Sequence, residues 1–171
     1  MQKIVIVNIF CAILLLFCSS SSKIIIGRAE KVRVYPSGLL VRAKIDTGAL
    51  NSSLNSRNIS YFKRDNQDWV RFEIHNYTDN SRRKGKKMTV ERPLLRITEI
   101  RQKGRPDEKR PAVIMGICLA NKYTEVEVNL VDRRNFNYPM LIGRSFLSDN
   151  FLVDASVKNV TKPTCENTKI E

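Results

Sequence analysis

Short apolar runs, broken by glycine, proline and charge, recur along the chain from residue 23 to residue 154. That spacing predicts strands joined by turns. Ile24-Ile25-Ile26-Gly27 and Val32-Arg33-Val34-Tyr35 read as short strands, with Pro36-Ser37-Gly38 as a turn. Leu39 to Ile45 is a third strand, and Asn51 to Arg57 a polar, serine-rich link that Leu50 and Leu54 anchor. Trp69 to His75 alternates, but Trp69, Phe72 and Ile74 do not share one face, so a bulge or a two-sided strand is expected. Val90 to Ile100 and Ala112 to Leu119 read as strands around a turn at Lys103 to Lys109. Tyr123 to Val131 sets Val126, Val128 and Leu130 on one face and Glu125, Glu127 and Asn129 on the other. An apolar strand then runs from Pro139 into Gly143, a short helix-compatible segment follows, and Phe151 to Asp154 is the last strand. The tail from Lys158 is polar and expected to be loosely ordered. No internal repeat and no long helical period is present.

The first residues break this pattern. Residues 1–22 read as an export signal: Lys3, an apolar stretch from Ile4 to Phe17 too short for a comfortable bilayer span, then Cys18 and four serines. Leu15 three residues before Cys18, with a serine tether behind it, resembles a bacterial lipoprotein signal. Cys18 is then the acylated first residue and the membrane is reached through a lipid anchor. Phe17 departs from the small residue usual before that cysteine, so an ordinary cleaved signal and an uncleaved anchor stay open.

The chain has 171 residues, enough for one domain with a real core. Thirty Lys and Arg against 17 Asp and Glu give a net charge of +13. The excess suits an acidic partner, either an acidic peptide or an anionic surface, or else a plain solubility role. No nucleic-acid motif accompanies it, and no nucleic acid is expected as a partner. Arg82-Arg83-Lys84-Gly85-Lys86-Lys87 reads as a solvated hairpin tip or as a basic flap over a cleft. Cys118 and Cys165 lie in the body of the chain at no zinc spacing, and their pairing is open. His75 is the only histidine, so no His-rich metal site exists; a structural role suits it better than catalysis.

Ala43-Lys44-Ile45-Asp46-Thr47-Gly48-Ala49 carries the candidate chemistry. A strand delivers an acid, a small hydroxyl residue that can brace backbone, and a glycine that lets the main chain come close to a ligand. An aspartic peptidase presents its acid in this way. Its reaction takes two carboxylates sharing a proton, one activating water and one donating to the carbonyl oxygen. No second Asp-Thr/Ser-Gly occurs, so a homodimer would have to supply one Asp46 per copy. By itself Asp-Thr-Gly is equally an ordinary turn.

Asp46-Thr47-Gly48-Ala49 on a strand, followed by Leu141-Ile142-Gly143-Arg144 ahead of a short helix, resembles the two-part pattern of retropepsin-like aspartic peptidases. Further blocks in order are Ser52-Ser53-Leu54, Trp69-Val70-Arg71-Phe72, Arg110-Pro111, Asn129-Leu130-Val131-Asp132-Arg133, and Tyr138-Pro139-Met140 through to Val153-Asp154. Together they are similar to the bacterial retropepsin-like family often labelled "ATP-dependent zinc protease", some of whose members accompany a ligase that adds glutamates to a ribosomal protein tail. The resemblance implies an aspartic mechanism, while the sequence has neither a phosphate-cradling loop nor a zinc constellation, so no cofactor and no metal is expected. Viral retropepsins carry a second Asp four residues after the catalytic one, paired with the arginine after the later glycine. That position is Leu50 here. Arg144 is therefore expected to find Asp132 or Asp154.

These readings give an all-β fold: a single retropepsin-like closed barrel with one short helix after Gly143. The expected organisation is a signal and tether at 1–22, a peptidase domain at 23–157 and a tail at 158–171. Asp46 is the expected catalytic acid, supported by Thr47, Gly48 and Ala49, with Leu141, Ile142, Gly143 and Arg144 bracing it. The expected function is a homodimeric aspartic endopeptidase of the cell envelope or periplasm, acting on a peptide or protein substrate that its charge suggests is acidic. A catalytically silent module of the same fold, binding an acidic peptide or partner protein, is the alternative; a scaffold lipoprotein on anionic lipid or envelope polymers is a third.

Overall fold

The computed structural model describes residues 22–76, 86–102 and 104–165. The signal segment with Cys18 and most of the basic stretch around Arg82 lie outside these residues. Eleven strands and one short helix follow in order: β1 (Ile24–Gly27), β2 (Ala29–Tyr35), β3 (Leu39–Ile45), β4 (Ser52–Arg64), β5 (Gln67–His75), β6 (Lys87–Pro93), β7 (Arg96–Gln102), β8 (Arg105–Leu119), β9 (Lys122–Val131), β10 (Met140–Ile142), α1 (Arg144–Leu147) and β11 (Phe151–Asp154). Among the described residues no helix is long and apolar enough to cross a membrane.

Six strands close a barrel in the order β10-β3-β2-β8-β9-β4, with β10 pairing back onto β4. The all-β, retropepsin-like barrel with a short helix after Gly143 is therefore the observed architecture. Alternation fills its interior. Val32 and Val34 of β2, Val41 of β3, Leu54 of β4, Met115 and Ile117 of β8, Val128 and Leu130 of β9, and Met140 and Ile142 of β10 are all at most 1% exposed. β1 and β11 pair in parallel as a separate two-stranded sheet, with Ile25 opposite Leu152.

Two strands are longer than their apolar pattern. Ser52 to Asn55 of β4 pair with β9, whereas Ser56 to Arg64 run out of the barrel and pair with β5. In β8, Ala112 to Leu119 pair with β9, while the earlier half pairs with β7. The polar link expected at Asn51 to Arg57 and the turn expected at Lys103 to Lys109 are thus largely strand. The first is polar yet buried, with Ser52, Ser53, Asn55 and Ser56 at most 6% exposed, and the second is largely exposed, so hydrophobicity marks neither. The strand expected over Val90 to Ile100 is instead two. Pro93, with no N–H to give, ends β6, and Leu94 and Leu95 then donate to Asp68 and Ala112 as the chain changes partners.

In β5 the buried face is Val70, Phe72 and Ile74, and the Arg64 guanidinium lies 4.3 Å from the centre of the partly exposed Trp69 ring. The irregularity expected there sits in the partner strand, between Arg57 and Ser60, where Asn58 has φ 51°. The tail is tied down as far as Cys165. Asn159 donates to the Ala29 carbonyl, and the buried Glu30 carboxylate accepts from Gly27 N, Val160 N, Thr161 N and Thr161 Oγ1. Cys165 is bonded to Cys118.

Candidate active site

β3 ends at Ile45, and the next residue, Asp46, sits where the barrel closes. β10 runs parallel to β3, with Met140, Leu141 and Ile142 beside Ala43, Lys44 and Ile45. Its other edge pairs antiparallel with β4. The Asp46 N–H donates to the Ile142 carbonyl at 2.9 Å, so the strand that closes the barrel also fixes the acid's backbone. The turn folds on itself: Ala49 N donates to the Asp46 carbonyl at 3.3 Å, and Gly48 N to Asp46 Oδ1 at 3.1 Å. A Cβ on Gly48 would lie 3.3 Å from that oxygen.

The second motif locks onto this turn. Gly143 N donates to Ser52 Oγ, Arg144 N to the Ala49 carbonyl, and Ser145 N to the Leu50 carbonyl. A Cβ on Gly143 would lie 2.5 Å from the Leu50 oxygen and 2.7 Å from the Asn51 oxygen, so only glycine fits there. Arg144 Nη1 donates to the Thr47 and Gly48 carbonyls at 2.8 and 2.9 Å. The partners expected for it are elsewhere: Asp132 pairs with Arg134, and Asp154 binds Ser156. With Leu50 in place of an acid, the guanidinium takes backbone carbonyls, which serve as its acceptors without a carboxylate.

Asp46 is partly buried, its side chain 24% exposed. Burial alone would raise its pKa, but the Lys44 ammonium 3.1 Å from Oδ2 and the Gly48 and Ala49 N–H groups outweigh burial and hold the carboxyl below the usual aspartate value. Residues 44 and 46 fall on the same side of the chain, so the strand's own alternation brings the cation to the acid.

Asp46 opens into a cavity of about 500 Å³ whose wall also includes Lys44, Thr98, Arg110, Asn129 and Arg133. Arg133 is 5% exposed and donates to Ser53 Oγ at 2.8 Å and to the Tyr138 carbonyl at 3.0 Å, with Phe136 4.4 Å from its guanidinium. Burial and the nearby Arg110 bring its pKa down to about 10, against the pull of Asp46, so it stays cationic at neutral pH. Asn129, expected on the outward face with Glu125 and Glu127, is 6% exposed and faces this cavity. Sequence reasoning assigned no role to Lys44, Thr98, Arg110, Asn129 or Arg133. The available signal was that Arg110 and Arg133 fall in blocks of the family pattern yet belong to no apolar face.

His75 lies apart, hydrogen-bonded to Glu73 and lining a second cavity with Asp132 and Arg134. Among the described residues no three His, Cys, Asp or Glu side chains gather as a metal site.

Residues 25–164 match the family described as RimB-like, retropepsin-like aspartic endopeptidase RimB. A probable alpha-L-glutamate ligase of Shewanella pealeana is 35% identical over 138 residues, 80% of this chain and 30% of that protein. One from Parasynechococcus marenigrum is 31% identical over 133 residues, 77% of this chain and 28% of its own length. The chain thus spans about 30% of the length of the curated relatives it matches. The crystal structure of a protein of unknown function from Legionella pneumophila superposes with a TM-score of 0.67 at 30% identity, covering 82% of this chain and all of that one.

Proposed function

Because the chain belongs to the RimB-like family of retropepsin-like aspartic endopeptidases, we propose that it is a homodimeric aspartic peptidase in which each protomer gives one Asp46. The observation that carries this reading is the braced turn, with Asp46 held by Ile142 and Gly48 and its neighbours held by Arg144. One carboxylate takes a proton from water as the water attacks the peptide carbonyl; the other, protonated, donates to the carbonyl oxygen. In a single protomer Lys44 keeps Asp46 ionised. Bringing two such carboxylates together raises the pKa of one, and the pair titrates as a unit. The surface position of Thr47, Gly48 and Leu50, the last 61% exposed, suits a turn that meets its copy.

The cationic cavity favours an acidic peptide or protein substrate, as does the net charge of +13. The apolar segment before Cys18 supports export with a lipid anchor, and a Cys118–Cys165 disulfide accords with an oxidising envelope compartment. No step needs a metal or nucleotide.

Asp46→Asn is expected to abolish cleavage of a mixed peptide pool while leaving the fold intact, and the full chain is expected to sediment as a dimer. Parental cleavage by Asp46→Asn would sink the mechanism. A monomer that binds acidic peptides across acid and neutral pH without cutting them would favour the silent binding module, a reading supported by Lys44 neutralising the lone Asp46.

A further inference from the structure

β1 and β11 form a two-stranded sheet of their own, apart from the barrel sheet. Strand alternation turns Ile26 and Phe151 inward, where they are 0% and 5% exposed, and leaves Ile25 and Leu152 outside. These two stand opposite each other in the pairing and are 62% and 54% exposed. A single exposed apolar side chain is ordinary, but two directly opposed on one small sheet make a face. The C-terminal segment borders it. Gly27 shares the side of β1 that Ile25 takes, and a Cβ there would lie 2.8 Å from the Lys158 Cα. Val160, 51% exposed, donates its N–H to the same Glu30 oxygen that accepts from Gly27 N. At the other end Lys23 leads into β1 and donates to the Ser148 carbonyl. The exposed cations around the apolar pair are thus Lys23, Arg28, Lys158 and Lys162, against the exposed acids Asp149 and Asp154.

What covers this face follows from the chain ahead of it. Cys18, the residue read as acylated, lies seven residues before Ile25. Such a tether reaches about 25 Å fully extended and about 15 Å on average. A domain of this length is roughly 35–40 Å across. An anchored barrel therefore cannot carry β1 to the side that faces away from the bilayer. A second copy matches the face less well. Two four-residue strands present roughly 13 Å by 10 Å, a small part of the roughly 800 Å² per partner that a stable protein interface needs. A bilayer surface needs no matching shape.

We propose that the outer face of the β1–β11 sheet rests on an anionic membrane surface. Ile25 and Leu152 enter the headgroup region, while Lys23, Arg28, Lys158 and Lys162 meet the lipid phosphates. The contact fixes how the anchored barrel is turned. This assignment rests on Cys18 as the anchor, but the face can be tested without it.

The test uses the chain from Ser22 onward, which lacks the apolar leader that would bind lipid by itself. It contains every described strand, and 82% of the full chain matches the whole of the crystallised Legionella protein, so this part folds on its own. It is sedimented with vesicles of phosphatidylcholine alone, or of phosphatidylcholine mixed three to one with phosphatidylglycerol. The expected result is binding to the anionic vesicles about tenfold or more tighter than to the neutral ones, weakening as salt is added. Ile25→Asn with Leu152→Asn is expected to weaken that binding about tenfold, and Lys23→Gln with Lys158→Gln about as much. The thermal midpoint reports whether each variant is folded, and the lysine pair serves where the asparagine pair unfolds. Equal binding to both kinds of vesicle overturns the proposal, and so does binding to the anionic vesicles that survives either pair of changes in a folded chain. An Ile25→Asn, Leu152→Asn variant that loses a dimer while keeping its vesicle affinity also overturns it and gives the face to a second copy. A full chain whose mass shows no acyl group, beside a fragment that binds as expected, would leave this assignment standing and reject the anchor alone.

Discussion

Asp46 and Lys44 make a pair whose titration can be worked out. The ammonium favours the ionised carboxyl, so the folded pKa of Asp46 lies below its unfolded value. The stabilisation this brings is present above the unfolded aspartate pKa and fades as pH falls through the lowered folded value. Lys44→Met removes both the charge and the hydrogen bond and is expected to raise the Asp46 pKa. Carbon-detected NMR titration of aspartate-labelled protein, with Asp46→Asn to assign the signal, measures the change. An unmoved titration would show that Lys44 does not govern the acid. The same lysine is in the sequence two residues before the acid, yet its role was not legible there. Alternation places residues 44 and 46 on one face, but whether a flexible lysine turns toward the acid or into solvent depends on what surrounds it. Asp46 itself was legible, because Asp-Thr-Gly at the end of an apolar strand is a local pattern.

The element that decides the site is β10, a three-residue strand wedged between β3 and β4. It passes the Ile142 carbonyl to Asp46 and delivers Gly143 to a point where a Cβ would collide with the Leu50 and Asn51 carbonyls. Gly143→Ala is expected to cost about 1–3 kcal/mol, as overpacking does in a tight interior, with a fall in thermal midpoint and in cleavage together. A midpoint unchanged from the parent would show that the turn relaxes freely. The apolar run into Gly143 was readable as a strand, and the short helix after it too. The outer halves of β4 and β8 were not. They hold their hydrogen bonds through β5 and β7 while their side chains face outward, so the pairing that makes them strands leaves no hydrophobic mark.

Across the whole molecule, the C-terminal segment is secured at two points, by Glu30 and by the Cys118–Cys165 bond, which spans a separation of 47 residues. Cys165→Ser is expected to lower stability by about 2–4 kcal/mol, mainly by freeing the unfolded chain. Denaturant unfolding of the variant should coincide with that of the reduced parent. Coincidence of the variant with the oxidised parent would mean that the bond contributes nothing. From sequence the tail was simply polar. Its order comes from a buried carboxylate more than a hundred residues earlier, accepting from Val160 and Thr161, and no local pattern reveals such a partner.

The sequence by itself determined the class of fold and singled out Asp46 as the candidate acid, because strand alternation, turn residues and the Asp46-Thr47-Gly48 and Leu141-Ile142-Gly143-Arg144 motifs are short-range properties. Only the tertiary structure decided what Arg144 holds, that Asn129 turns inward, and that Thr98, Arg110, Asn129 and Arg133 surround the acid. Thr98, Arg110 and Asn129 come from the consecutive strands β7, β8 and β9, with Thr98 opposite Arg110, and Arg133 from the loop after β9; the barrel brings this group to Asp46 at the end of β3. Their meeting with Asp46 depends on register between distant segments, and a linear pattern of polar and apolar positions does not carry that information.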